Sequence, residues 1–196
     1  MRKVLLLLML ALTTTPLLLA QNGDHGEVGV FADYFRLQAA PRDLFGLGAR
    51  LSFNVHKNVQ LEAEMAYDFE RGFAEGFNDG AGTATIQPSS LRVLHGMFGP
   101  KFQVGKEGPY AIRAFVTAKG GFVNFGFSNA SVASGFTSAI DNLRRDNNGN
   151  AVFYPGGGIE GYVGPVGLRL DVGDEIYFNN GANHNLKITF GPHIRF

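Results

Sequence analysis

Residues 59–69, VQLEAEMAYDF, alternate without a break. Val59, Leu61, Ala63, Met65, Tyr67 and Phe69 fall on one face; Gln60, Glu62, Glu64, Ala66 and Asp68 fall on the other. Successive side chains of a β-strand point to opposite faces, so this period of two demands a strand with one apolar and one charged side. Such a strand needs neighbours of the same pattern and a different medium on each face.

Seven more segments supply the neighbours: 26–35, 45–55, 94–104, 110–120, 153–163, 166–178 and 185–196. In 45–55, Phe45, Leu47, Ala49, Leu51, Phe53 and Val55 oppose Arg50, Ser52 and Asn54. In 110–120, Tyr110, Ile112, Ala114, Val116 and Ala118 oppose Arg113, Phe115, Thr117 and Lys119. The segment 153–163 is weaker and rich in glycine. Each is about the length of a tilted membrane-crossing strand. Long connections (36–44, 70–90, 128–150, 179–183) alternate with short ones (56–58, 105–109, 164–165). This predicts an all-β, eight-stranded antiparallel up-and-down barrel, with tight turns at one end.

Alternation alone leaves inside and outside open. An apolar interior makes a periplasmic lipocalin-like carrier; an apolar exterior makes a transmembrane β-barrel. The polar faces carry Arg50, Lys101, Arg113, Lys119, Arg169, Lys187 and Arg195 against Glu27, Asp33, Glu62, Glu64, Asp68, Glu160, Asp171 and Glu175. Near-balance suits a narrow lumen, where unpaired charge is costly. The apolar faces carry two charges, Arg92 and Asp174, both toward the long-loop end, where a charge facing lipid costs least. Tyr34, Phe45, Tyr67, Phe69 and Phe178 gather near that end, with Phe102 and Tyr110 toward the other, as interfacial aromatic girdles do. The transmembrane reading is the expectation, with the charged set forming a paired lumen network.

The amino terminus agrees. Arg2 and Lys3, the apolar run 4–12 and the small Ala20 read as a secretory signal peptide over 1–20, leaving 21–196 as one barrel domain. Its removal leaves a net charge near −2, which offers no electrostatic case for nucleic acid. The chain has no cysteine, so neither disulfides nor thiolate metal ligands are expected.

Signal peptide, eight alternating strands, connections of alternating length and the final ITFGPHIRF ending in Phe196 resemble the OmpA-like outer-membrane β-barrel family. The resemblance implies a Gram-negative outer-membrane location, lipid around the barrel and a monomer. It also implies that Phe196 is the signal read by the barrel-assembly machinery. No segment matching a peptidoglycan-binding domain follows the barrel, so a cell-wall tether is not implied. Pro100, Pro155 and Pro192 lie inside presumed strands, where each removes a ladder donor.

Other motifs read blandly. GGGIEG (156–161) fits a dinucleotide fingerprint but falls in a strand rather than at a helix start. DNNGN (146–150) begins like a calcium loop yet has Ala151 and Gly157 where glycine and glutamate are required. NAS (129–131) is a chance glycosylation sequon in a bacterial host. Histidines 25, 56, 95, 184 and 193 show no ligand spacing, so neither metal nor cofactor is expected. The deacylase pattern of a lipid-facing histidine and serine two apart fails at His184–Leu186 and His193–Arg195, and no enzyme is expected. A structural or surface-interaction role follows, with 70–90 and 128–150 meeting an unknown ligand. The alternatives are a narrow pore and the carrier.

Overall fold

A computed structural model describes residues 25–39, 41–105, 108–128, 132–138, 140, 141, 143 and 149–196. The segment read as a signal peptide, the NAS sequon and most of DNNGN lie outside these residues.

The elements are β1 (Gly26–Leu37), β2 (Arg42–His56), β3 (Val59–Asn78), β4 (Ala84–Gly105), β5 (Tyr110–Phe127), β6 (Thr137–Ser138), β7 (Asn150–Val163), β8 (Val166–Asp174), β9 (Ile176–Phe178), β10 (Ala182–Asn183) and β11 (Leu186–Arg195). β1, β2, β3, β4, β5, β7, β8 with β9, and β11 are eight antiparallel staves. β1 pairs with β11 from Glu27–Arg195 to Arg36–Leu186, which closes the sheet into a barrel. Closure leaves no free edge around the girth, as a spanning sheet requires. The chain end joins that seam: the Phe196 amide donates to the Gly26 carbonyl at 2.9 Å and its carbonyl accepts from Gly26 at 3.0 Å.

The apolar rows face outward. Val55, Val104, Ile112 and Val116 are each at least 60% exposed, while Glu62, Lys101, Lys119 and Lys187 inside are fully buried. The carrier alternative therefore fails. Outward rows reach charge toward the long-connection end: Arg36 on β1, Asp43 on β2, Glu70 on β3, Arg92 on β4, and Asp174 on β8 just before outward Phe178 on β9. There Arg36 meets Asp43 at 3.1 Å and Asp174 meets His184 at 2.5 Å.

The three strand prolines have a common account. Beside each, one ladder lapses for two residues and resumes in the same register. The gap falls at Gly99–Pro100 between β4 and β5, at Gly191–Pro192 between β11 and β1, and at Tyr154–Pro155 between β7 and β8–β9. At the first, the Thr117 hydroxyl donates to the Pro100 carbonyl at 2.9 Å.

Two expected loops are corrected. Residues 70–90 form a β-hairpin, since β3 runs to Asn78 and β4 starts at Ala84, and the 36–44 connection shrinks to 38–41. β3 has 20 residues, about twice the roughly 10 that a tilted strand needs to cross a bilayer. A bulge at Phe69–Glu70 hides this from the pattern, because two β3 residues there stand opposite Arg92 alone. The slip by one residue sends odd-numbered side chains outward below the bulge and inward above it. Phe73, Glu75 and Phe77 then face in, separated by Ala74 and Gly76, so neither face looks apolar in sequence.

Candidate functional site

The lumen is the candidate site, and its wall is built before its charges. Inward glycines allow rings to lie flat against the sheet. A Cβ on Gly48 would come within 2.3 Å of the Phe31 ring, and one on Gly156 or Gly173 within 2.6 or 2.5 Å of the Tyr154 ring. This is what the GGGIEG stretch does in the fold. Cations then stack on the rings: Arg50 on Phe31 at 4.6 Å, Arg169 on Phe115 at 4.0 Å and Lys119 on Tyr154 at 5.4 Å. Cation–π contact away from solvent is worth about 2 kcal/mol or more. The rings leave the charged ends reaching toward the barrel axis.

Carboxylates meet them there. Glu62 on β3 contacts Arg169 at 2.5 Å, Lys119 at 2.6 Å and Arg50 at 3.4 Å, and accepts from the Ser52 hydroxyl at 3.0 Å. Glu64 takes Lys119 at 2.6 Å and Arg50 at 3.2 Å; Asp171 takes Arg169 at 2.7 Å and the Tyr154 hydroxyl at 2.9 Å. Toward the short-turn end, Lys101 bridges Glu160 at 2.5 Å and Glu27 at 3.3 Å. The Tyr162 hydroxyl lies between the same two acids, 2.9 Å from Glu160 and 2.6 Å from Glu27, and shares its one proton between them. Arg113 and Arg195 stack on the Tyr162 ring at 5.2 and 4.7 Å, and Arg195 also donates to the Gly164 and Gly108 carbonyls. Toward the other end, His95 joins Asp68 at 2.9 Å to Glu175 at 2.7 Å, and Lys187 joins Asp33 to Glu175.

Of the residues expected in the lumen, Arg50, Glu62, Glu64, Asp68, Lys101, Arg113, Lys119, Glu160, Arg169, Asp171, Glu175 and Lys187 are buried there; Arg195 is half-buried at the mouth. Phe196 lies at the seam, apart from them. The network also takes in His95, with the rings of Phe31, Phe115, Tyr154 and Tyr162. His95 was legible as an inward residue of its strand, but its partners are 27 and 80 positions away.

Above His95 the interior changes character. Phe35, Leu37, Leu44, Leu91, Val93, Val123, Phe125, Val152 and Tyr177 form an apolar core across the long-connection end. Ile140 and Leu143 reach into it from the connection after β5. β6 straps that connection to the hairpin, pairing Ser138 with Phe77 and Thr137 with Asn78. Asp141 secures the strap by accepting from the Ser138 amide and hydroxyl at 2.8 and 3.0 Å. Charged layer and apolar cap thus occupy successive stretches of the interior.

No protein-family model matches the chain, and no curated protein matches it in sequence. Three solved structures are similar over most of its length. Neisserial surface protein A is 10% identical, with 89% of this chain and 98% of that one covered and a TM-score of 0.51. The attachment invasion locus protein Ail of Yersinia pestis, solved with the heparin analogue sucrose octasulfate, is 13% identical over 90% of this chain and 100% of that one, with a TM-score of 0.48. The N-terminal β-barrel domain of Pseudomonas aeruginosa OprF is 13% identical over 89% of this chain and 100% of that one, with a TM-score of 0.45. The closed antiparallel barrel of eight staves, apolar outside and charged within, is thus the fold of a transmembrane β-barrel, and Neisserial surface protein A shares it.

Proposed function

We propose that the chain is an outer-membrane barrel of a Gram-negative cell with a structural or surface-interaction role, and that its sealed interior carries no solute. The observation that carries this is the division of the molecule at the charged ends of its outward rows. One part displays apolar rows outward around a charged lumen; the other raises the β3–β4 hairpin beyond them, with Thr137 and Ser138 paired to it. Segments held this far out on a rigid barrel are placed to meet ligands. Beside the hairpin, Arg42, Phe73, Glu75 and Ile140 line an open cleft of about 400 Å³ at the rim. Phe196 serves assembly on this reading, its backbone completing the β1 seam. Deleting it should lower outer-membrane levels far more than the stability of barrel already folded.

Absence of cysteine gives a clean test of the orientation. Ala81→Cys at the hairpin tip should react on intact cells with a membrane-impermeant maleimide. Lys57→Cys in a short turn should react only after the outer membrane is permeabilised. The opposite pattern would reverse the topology, and labelling of neither after permeabilisation would remove the chain from the envelope.

A further inference from the structure

His193 faces the lumen from β11 near the short-turn end. It is only 5% exposed, and neither ring nitrogen has a hydrogen-bond partner. The wall leaves room for it: a Cβ on Gly167 would come within 2.4 Å of its Nε2, and one on Gly29 within 2.7 Å of its Cβ. Tyr162 meets the ring edge-on at 4.9 Å. Burying an imidazole with both nitrogens unmet is unfavourable unless something else satisfies them. One ligand atom from each of His193, Glu27 and Glu160 lies within 4.8 Å of the other two, and all three residues are buried.

The geometry points to a divalent transition-metal site made by Glu27, Glu160 and His193. One imidazole and two carboxylates suit a borderline ion such as Zn²⁺ or Co²⁺, with a fourth position left for water. The Tyr162 hydroxyl holds the two carboxylates together from outside this set, the role that outer hydrogen bonds play around metal ligands. Each carboxylate oxygen already bonded to Tyr162 or Lys101 keeps a second lone pair for the ion. Lys101 is the competitor common to both acids, since its ammonium meets each of them, while Arg169 also reaches Glu160 at 3.4 Å. The site is therefore attenuated by that lysine and tightens when the charge is removed. Among the described residues, the other buried group of this kind, Asp33, Asp68 and His95, differs in that both nitrogens of His95 are already met by carboxylates.

The test is a Co²⁺ titration of the untagged barrel in detergent, followed by visible absorption and reversed with Zn²⁺. One equivalent should bind the wild type with a ligand-field band. His193→Leu, which removes no hydrogen bond, should lose at least tenfold in affinity; Lys101→Met should gain at least tenfold. Heat-modifiable gel mobility identifies folded barrel in each sample. If Lys101→Met does not fold, wild type against His193→Leu decides alone. Three outcomes would overturn the site: no saturable binding to wild type at millimolar Co²⁺, equal affinity in His193→Leu, or a folded Lys101→Met that binds no more tightly.

Discussion

The two halves of the interior obey opposite rules. Around Glu62, Glu64 and Arg169 the inward face is charged and the outward face apolar; around Phe35, Leu91 and Phe125 the inward face is apolar. The strands are continuous between them, so the rule changes within single elements. β4 sends Lys101 and His95 inward, then Val93 and Leu91. What changes is the medium outside. Where outward residues such as Phe98 and Met65 face hydrocarbon, burying more apolar surface inside gains little, and polar groups pair across the lumen. Toward the long-connection end, where the outward rows reach charge, the wall approaches water and the ordinary drive to bury apolar groups returns.

Energetically the halves also differ in kind. The charged layer is stabilised by mutual satisfaction, so losing one member leaves others stranded; the cap is stabilised by area and packing, so losses stay local. Glu62→Gln should therefore show the largest effect of any single change. It weakens contacts to Arg169, Lys119 and Arg50 at once, and breaking a buried pair costs roughly 3–5 kcal/mol. Urea unfolding in detergent micelles would measure it. A loss below about 1 kcal/mol would mean that lumen water already screens the layer and that the two halves are less distinct than drawn.

Ile140→Ala tests the cap. The side chain is buried from a connecting segment, so the loss should sit near the low end of the isoleucine range, about 2 kcal/mol. It should appear chiefly as faster proteolysis within 128–150, with global unfolding of the barrel little changed. Equal global destabilisation by Ile140→Ala and Glu62→Gln would merge the halves into one cooperative unit.

Much of the lower half could be read from the chain. Alternation through 45–55 and 59–69 located strands, faces and the inward charges, because lipid imposes one rule on every outward position. The upper half could not. Its signal is scrambled by the bulge at Phe69–Glu70, by small residues between Phe73 and Phe77, and by Ile140 and Leu143, which enter from a connection outside the alternating strands. The lumen site was half legible. Each carboxylate could be assigned to the interior, but partners such as Arg169 for Glu62 are set by register and barrel closure, across 107 residues. Alternation likewise assigns His193 to the interior, but nothing in the chain shows that its ring goes without a hydrogen-bond partner.

The smallest expected effect lies at the hairpin tip, outside both halves. Asp79 accepts from the Ala81 and Thr83 amides at 2.9 Å each, and these backbone bonds hold its carboxyl below the ordinary value of 3.8. A lowered value means that the tip is held fully above that pH and released as pH falls through the value in the folded protein. Exchange of the Thr83 amide should quicken on acidification over that window, relative to the intrinsic rate, and Asp79→Asn should abolish the pH dependence. A tip that orders as pH falls would contradict the sign.

The central claim is that charge below and apolar packing above leave no water path through the barrel. An eight-stranded interior is just wide enough for side chains to fill. Single-channel recording of wild-type barrel in a planar bilayer tests this most directly. The account predicts no steady conductance step across a wide range of voltage and salt. A large, sustained current from correctly folded wild-type protein would contradict it, showing that the Glu62 network lines a pore rather than filling one.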